Sequence, residues 1–124
     1  MQTQEIPREQ WPSFFDSFSR QHEGWLATLE FFAETVGAQP EAEELPFEGI
    51  SLDAEDGDLD SVIISFGKSP SQHITHTIHQ PKHLWLQQTP EGADAALEIK
   101  AADNSNTLLR FRSPILPEFV DGIV

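Results

Sequence analysis

The sequence contains no cysteine and few basic residues. The absence of cysteine excludes disulfides, thiolate metal sites, iron–sulfur clusters and cysteine nucleophiles, so stability must come from packing. Only 7 lysine and arginine residues stand against 21 aspartate and glutamate residues, which gives a net charge of −14 at pH 7. Because that charge repels phosphate backbones and anionic lipid headgroups, we expect neither nucleic acid nor a membrane surface as a partner.

Long apolar runs and familiar motifs are absent as well. No apolar run approaches the roughly 18 residues that a membrane span needs. The stretch from Met1 to Pro7 has neither the basic nor the apolar region of a secretory signal, so we expect a cytoplasmic protein. The motifs GxGxxG, GxxxxGK[ST], GxSxG and HExxH do not occur. We therefore expect no cofactor and lean toward a protein that is not an enzyme.

An aromatic stripe near the N-terminus predicts one amphipathic helix. Trp11, Phe14, Phe15 and Phe18 are spaced at i, i+3, i+4 and i+7. Gly24 supplies a stop, so the helix is predicted at about residues 9–22. Covering a sheet is the commonest use of such a stripe.

After Gly24 the apolar residues alternate with a period of two, which is typical of strands. Alternation recurs at 25–31, 62–66, 95–99 and 107–111, and the polar residues 102–106 predict a hairpin turn. With 124 residues, we expect a single domain, 1–124. The predicted fold class is α+β: the N-terminal helix packs on an antiparallel, strongly bent meander sheet or small partly open barrel of about six strands. The sheet spans about 25–112, and a proline-rich segment, 113–124, follows it.

Acidic residues are concentrated in residues 41–60, which hold nine carboxylates and no basic residue. The run from Asp53 to Asp60 has the density of a calcium loop, but no glycine stands at the position where that loop turns. We interpret it as a flexible acidic turn between strands.

Four histidines, His73, His76, His79 and His83, fall within eleven residues. Their β-branched neighbours favour a strand, on which His76 faces the side opposite to the other three. A hairpin at 80–82 would set His79 against His83, with Cβ atoms about 5 Å apart, as two ligands of a divalent metal that needs a third. The alternatives are a proton-sensing role near pH 6.5 and the interpretation that we favour, polar residues on a solvated face with His76 in or near the core.

Trp85 lies on the same predicted strand face as His79 and His83. An indole beside imidazoles is typical of a protein contact, so Trp85, His79 and His83 form a predicted interaction patch, and a homodimer is one expected use of it. The other expected partner is an unidentified protein or small molecule.

Four stretches of the chain, Glu5–Trp25, Thr75–Pro81, Glu91–Ile99 and Leu109–Pro117, resemble a family of small bacterial proteins known only as a domain of unknown function. The resemblance implies a stand-alone bacterial protein and brings no activity and no site residue. From the residues, the favoured hypothesis is a non-enzymatic binding or interaction module. The alternative is a divalent-metal-binding protein that uses the His73–His83 segment, with hydrolytic chemistry as its extension.

Overall fold

The computed structural model describes residues 2–33, 37–53, 60–67 and 73–112. Within these ranges the chain forms one helix of 12 residues, a 3-10 turn before it and a single sheet of eight strands. The elements are β1 (Gln2–Glu5), the 3-10 turn (Arg8–Gln10), α1 (Trp11–His22), β2 (Leu26–Ala33), β3 (Gly37–Asp53), β4 (Ser61–Phe66), β5 (Ile74–His79), β6 (Pro81–Gln88), β7 (Asp94–Ala101) and β8 (Asn106–Phe111).

All strand pairs are antiparallel, which confirms the predicted pairing mode, and the sheet order is β1-β6-β7-β8-β2-β3-β4-β5. Strands β1 and β5 are therefore the two ends of a sheet that is not closed. A single residue, Gln80 with φ 55, joins β5 to β6. The Gln80 N–H donates to the Asp60 carbonyl at 3.0 Å, and the Gln80 carbonyl accepts from Ala102 at 2.9 Å. The β4–β5 pair and the β6–β7 pair thus meet at this corner.

The predicted fold class, an α+β domain with a helix packed on about six strands, is wrong. The described chain is predominantly sheet, with one short helix and eight strands. Two strands account for the difference. Strand β1 is short and all four of its residues are exposed, so it carries no apolar alternation. Strand β3 occupies 17 residues, for which the sequence predicted no strand.

Strand β3 escaped prediction because irregularities break its period. Its buried residues are Ala42, Phe47 and Ile50, whose spacings of five and three do not fit simple alternation. Glu44 has φ 49, and the register shifts between Phe47 and Gly49 against β4. A bulge inserts an extra residue and reverses the side that later residues face, so the apolar pattern is lost in the sequence while the strand persists.

The core lies between the sheet and α1, which packs against β3. The helix buries Trp11, Phe15, Phe18 and His22, and the Trp11 Nε1–H donates to the Ile6 carbonyl at 2.9 Å. The pattern predicted a helix from residue 9, whereas α1 begins at Trp11 after the 3-10 turn. Its aromatic stripe therefore lies in the core.

The predicted β7–β8 hairpin is confirmed. Asn104 adopts a left-handed φ of 69, and the Asp103 Oδ1 atom accepts from the Ser105 N–H at 2.9 Å. The calcium-like run lies largely outside the described residues, which leave out 54–59, and the predicted proline-rich segment 113–124 lies outside them entirely.

Candidate functional site

A surface groove of about 500 Å³ lies between α1 and the second half of β3, and is referred to below as the α1–β3 groove. Helix α1 forms one wall, and β3 with the adjacent part of β4 forms the floor and the other wall. Its lining residues are Pro12, Phe15, Asp16, Ser19, Glu48, Gly49, Ile50, Ser51, Leu52, Ile63 and Ser65. The lining combines apolar side chains with hydroxyl groups and two carboxylates.

Ser19 fixes the helix to the strand along this groove. Its hydroxyl donates to the Ile50 carbonyl at 3.0 Å and accepts from the Ile50 N–H at 2.9 Å. One side chain thus takes the place of a neighbouring strand at Ile50. Further along the same edge, Phe47 exchanges backbone hydrogen bonds with Gly24 at 2.7 Å and Trp25 at 2.8 Å. The C-terminal part of α1 and the residues after it therefore close the edge of β3 at these two positions.

Both carboxylates of the groove have a cationic or titratable neighbour. Asp16 pairs with Arg20 one helical turn later, and the two side chains are 67% and 69% exposed. Glu48 Oε2 lies 3.0 Å from His73 Nε2. Among the described lining residues there is no lysine or arginine. The groove therefore presents negative charge that only partners outside its lining offset.

Gly49 keeps space between the groove walls, and sequence reasoning missed it. A Cβ atom added there would lie 3.6 Å from Ser19 Oγ, which is ordinary van der Waals contact. Its backbone φ lies outside the left-handed region, so glycine is not required for conformation. A glycine inside a strand is a sequence signal for a bulge or a close approach, and that signal was hidden because the segment was not predicted as a strand.

A second polar cluster lies at the C-terminal end of α1. His22 is 2% exposed; its Nδ1 lies 2.7 Å from the Phe18 carbonyl, and its Nε2 lies 3.3 Å from Asp94 Oδ2. A carbonyl oxygen can only accept, so Nδ1 carries a proton. The Phe111 ring stacks on the imidazole with centroids 4.8 Å apart, and Trp25 meets it edge-on at 4.5 Å. Aromatic rings therefore shield this histidine from water.

Asp94 is held in its ionised form. Burial raises the pKa of this carboxyl, but hydrogen bonds from His22 and from Gln88, whose Nε2 donates to Oδ1 at 2.9 Å, outweigh it and hold the pKa below its ordinary value. The ionised Asp94 carboxylate faces the His22 Nε2 atom, so the cluster is a buried histidine–carboxylate pair. Both ring nitrogens of His22 and both carboxylate oxygens of Asp94 therefore have a polar partner.

The predicted hairpin that would bring His79 against His83 does not form. Strand β5 pairs with β4, whereas β6 pairs with β1 and β7. His79 is exposed at the end of β5. His83 Nδ1 lies 2.8 Å from Glu5 Oε2, and its ring stacks on Trp85 with centroids 5.3 Å apart. Within the predicted interaction patch, His83 and Trp85 thus stack on each other. The role of the patch in metal binding or self-association stays a prediction.

The other two histidines of the segment diverge, as expected on an extended strand. His76 is half-buried on the same face as the buried Ile78; its Nε2 lies 3.4 Å from Thr107 Oγ1 and its ring meets Phe31 at 5.6 Å. His73 lies at the groove beside Glu48. Across the part of the chain that the structure describes, no three histidine or carboxylate side chains gather closely enough to hold a metal ion. The helix found within those same ranges is too short and too polar to cross a membrane.

An open antiparallel sheet with one helix along a strand edge and a groove beside that helix defines a small groove-bearing β protein. The chain belongs to a family of unknown function, DUF5335, whose model matches residues 2–118. It is 30% identical over 119 residues to an uncharacterized protein of Aquifex aeolicus (strain VF5), covering 95% of this chain and all of that relative. No solved structure matches the chain.

Proposed function

We propose that this protein is a binding module and that the α1–β3 groove is its ligand site. The observation that carries the proposal is the groove itself, whose volume of about 500 Å³ falls within the roughly 300–1,000 Å³ typical of small-ligand sites. The ligand that fits has an apolar body and a positively charged group.

The apolar part of the lining favours the ligand body. Pro12 and Phe15 contribute from the helix, and Leu52 and Ile63 from the strands. Phe15 is only 1% exposed and is fixed by its contacts in the core, so this wall is formed before any ligand arrives. A preformed wall lowers the ordering cost of binding.

The charge of the lining favours a cationic ligand. Asp16 and Glu48 face the groove, and the chain as a whole carries a net charge of −14. A long-range field of this sign attracts cations and repels anions. Because the Asp16–Arg20 pair is largely exposed, exchanging Arg20 for a ligand cation costs little.

The experiment uses two probes of similar shape and opposite charge, hexylammonium and hexanoate, titrated into the full chain labelled with nitrogen-15. We expect hexylammonium to shift the amide signals of Ser19, Gly49 and Leu52, and hexanoate to leave them unchanged. The backbone of Gly49 admits a side chain, whose Cβ atom would be in ordinary contact with Ser19, so Gly49→Leu is expected to obstruct the groove and weaken hexylammonium binding at least about tenfold, which corresponds to roughly 1.4 kcal/mol.

Thr3→Leu is the matched control because it adds a similar side chain to an exposed position of β1, at the far end of the sheet order. It is expected to leave binding unchanged. Equal binding of both probes, or shifts centred on His83 and Trp85 in place of the groove, would overturn the proposal.

A further inference from the structure

The edge of β3 that faces the groove has backbone hydrogen-bonding groups in addition to those of Ile50, which bond to Ser19. In an antiparallel ladder the residues alternate between those bonded to one neighbouring strand and those bonded to the other. Ile50, opposite Ile64 of β4, directs its N–H and C=O away from β4 and onto Ser19. Leu52, two residues on and opposite Val62 in an unbroken register, directs its own N–H and C=O the same way.

These two backbone groups of Leu52 point toward the α1–β3 groove, of which Leu52 is a lining residue. Among the described residues, neither group makes a backbone hydrogen bond outside the β3–β4 ladder. Ser19 gives Ile50 both a donor and an acceptor, which the side chains nearer the N-terminal end of the groove do not offer together. Pro12 has no N–H, and the Asp16 carboxylate only accepts and is engaged with Arg20.

An extended peptide is the ligand whose chemistry matches this edge. Adding a strand supplies one acceptor and one donor at the spacing that Leu52 offers, about 4.8 Å from β3. Alternate side chains of such a strand point to opposite sides, and the groove offers both an apolar wall at Phe15 and carboxylates at Asp16 and Glu48. A peptide in which apolar and basic residues alternate satisfies both.

We infer that the ligand of the α1–β3 groove is an extended segment of a partner protein with alternating apolar and basic residues, paired with β3 at Leu52. The inference rests on the proposed function and names its ligand class. Charge complementarity selects the partner: the groove carries carboxylates, and a second copy of this acidic chain would bring a further net charge of −14.

The test measures hydrogen exchange of the Leu52 amide in the full chain, without and with the peptide acetyl-Val-Lys-Val-Lys-amide. We expect fast exchange in the free protein and at least about tenfold slower exchange at saturation, because the amide then donates to the peptide. The analogue with both Lys residues replaced by Glu is expected not to bind. Gly49→Leu should abolish the protection, and Thr3→Leu should preserve it.

Backbone methylation distinguishes strand pairing from simple charge attraction. Two versions of the peptide carry N-methyl groups on alternate residues, one version on the Val positions and the other on the Lys positions. Since alternate N–H groups of a paired strand point to opposite sides, one version should lose binding and the other should keep it. Equal loss or equal retention would contradict pairing at Leu52.

The remaining outcomes separate this inference from the proposed function. If hexylammonium binds in the groove and the peptide does not, the groove is a ligand site but the peptide inference is wrong. If neither binds, both fail. A Leu52 amide that is already slow in the free protein means that another part of the chain covers the edge, and protection that grows with protein concentration means that a second copy does; either result overturns the inference.

Discussion

The two ends of α1 have opposite surroundings: the C-terminal end is buried and the N-terminal end lines an open groove. At the C-terminal end, His22 lies in the core with both ring nitrogens partnered and aromatic rings around it. Toward the N-terminal end, Pro12 and Asp16 line an open groove. The difference follows from the residues that meet the edge of β3. Gly24, Trp25 and Ser19 hydrogen-bond to that edge, whereas within the described ranges neither Pro12 nor Asp16 does.

The contrast has an energetic consequence. A buried histidine–carboxylate pair such as His22–Asp94 is costly to break because the remaining polar group is left without a partner in a medium of low dielectric constant. An exposed pair such as Asp16–Arg20 contributes little, and its partners exchange easily. The C-terminal end of the helix is therefore the place to look for stability, and the groove end the place to look for binding.

The largest expected effect is the loss of the buried pair. Asp94→Ala leaves His22 without its carboxylate partner, and we expect the free energy of unfolding to fall by about 3 kcal/mol, measured by urea denaturation. Adding His22→Phe to this variant should restore part of the loss, because it removes the unpaired ring. A loss below about 1 kcal/mol for Asp94→Ala would remove the contrast between the two ends.

Ser19 marks the boundary between the closed and open parts of the β3 edge. Ser19→Ala removes both hydrogen bonds to Ile50, and we expect a loss of about 1–2 kcal/mol in the free energy of unfolding. Ser17→Ala is the matched control on the same helix, since its hydroxyl donates to the Phe14 carbonyl of the preceding turn and bonds to no strand among the described residues. The control should stay within about 0.5 kcal/mol of the parent. Equal losses for the two variants would show that the helix is not fixed to β3 through Ser19.

A smaller effect is expected from acid. The pKa of Asp94 is lower in the folded chain than its ordinary value of 3.8, so its stabilising contribution is complete above that pH and is lost as pH falls through the lower folded value. The free energy of unfolding, measured with urea at several pH values from about 7 to 2.5, should therefore fall more steeply with decreasing pH for the parent than for Asp94→Asn.

Asp103 does not affect the difference between the parent and Asp94→Asn. Hydrogen bonds from Ser105 lower its pKa too, but they are present in both proteins, so its contribution cancels in the difference. Parallel curves for the parent and Asp94→Asn would mean that Asp94 is not stabilised as a carboxylate in the folded chain.

The sequence predicted the elements in which apolar residues repeat regularly. The aromatic stripe from Trp11 to Phe18 gave the helix, and alternation around Leu97 and Leu109 gave the β7–β8 hairpin. The extended form of the His73–His79 segment followed from its β-branched residues, and His76 lies on the expected face.

The groove could not be predicted, because two of its features depend on tertiary structure. The bulges of β3 removed the apolar period that would have revealed the strand, so Gly49 and Leu52 were assigned to no element. The bonds from Ser19 to Ile50 join residues 31 positions apart, and nothing in the local pattern of α1 distinguishes Ser19 from Ser13 or Ser17. The His22–Asp94 pair could not be predicted either, because it also joins residues that are distant in the sequence. In addition, His22 lies outside the histidine-rich segment on which the metal hypothesis was based.

The variant with the smallest expected change in stability gives the clearest distinction between the stabilising C-terminal end of α1 and the groove at its N-terminal end. Arg20→Gln removes the exposed partner of Asp16 and should cost only about 0.3–0.5 kcal/mol in the free energy of unfolding. The same variant should bind hexylammonium about twofold more tightly, because the Asp16 carboxylate no longer has to give up Arg20 before it meets the ligand cation. Arg110→Gln is the control: it removes the same charge from a pair with the half-buried Glu30, on β8 and β2 and outside the groove lining, and should leave hexylammonium binding unchanged. Equal changes in affinity for the two variants would mean that the effect is one of net charge alone and that Asp16 plays no local part in binding.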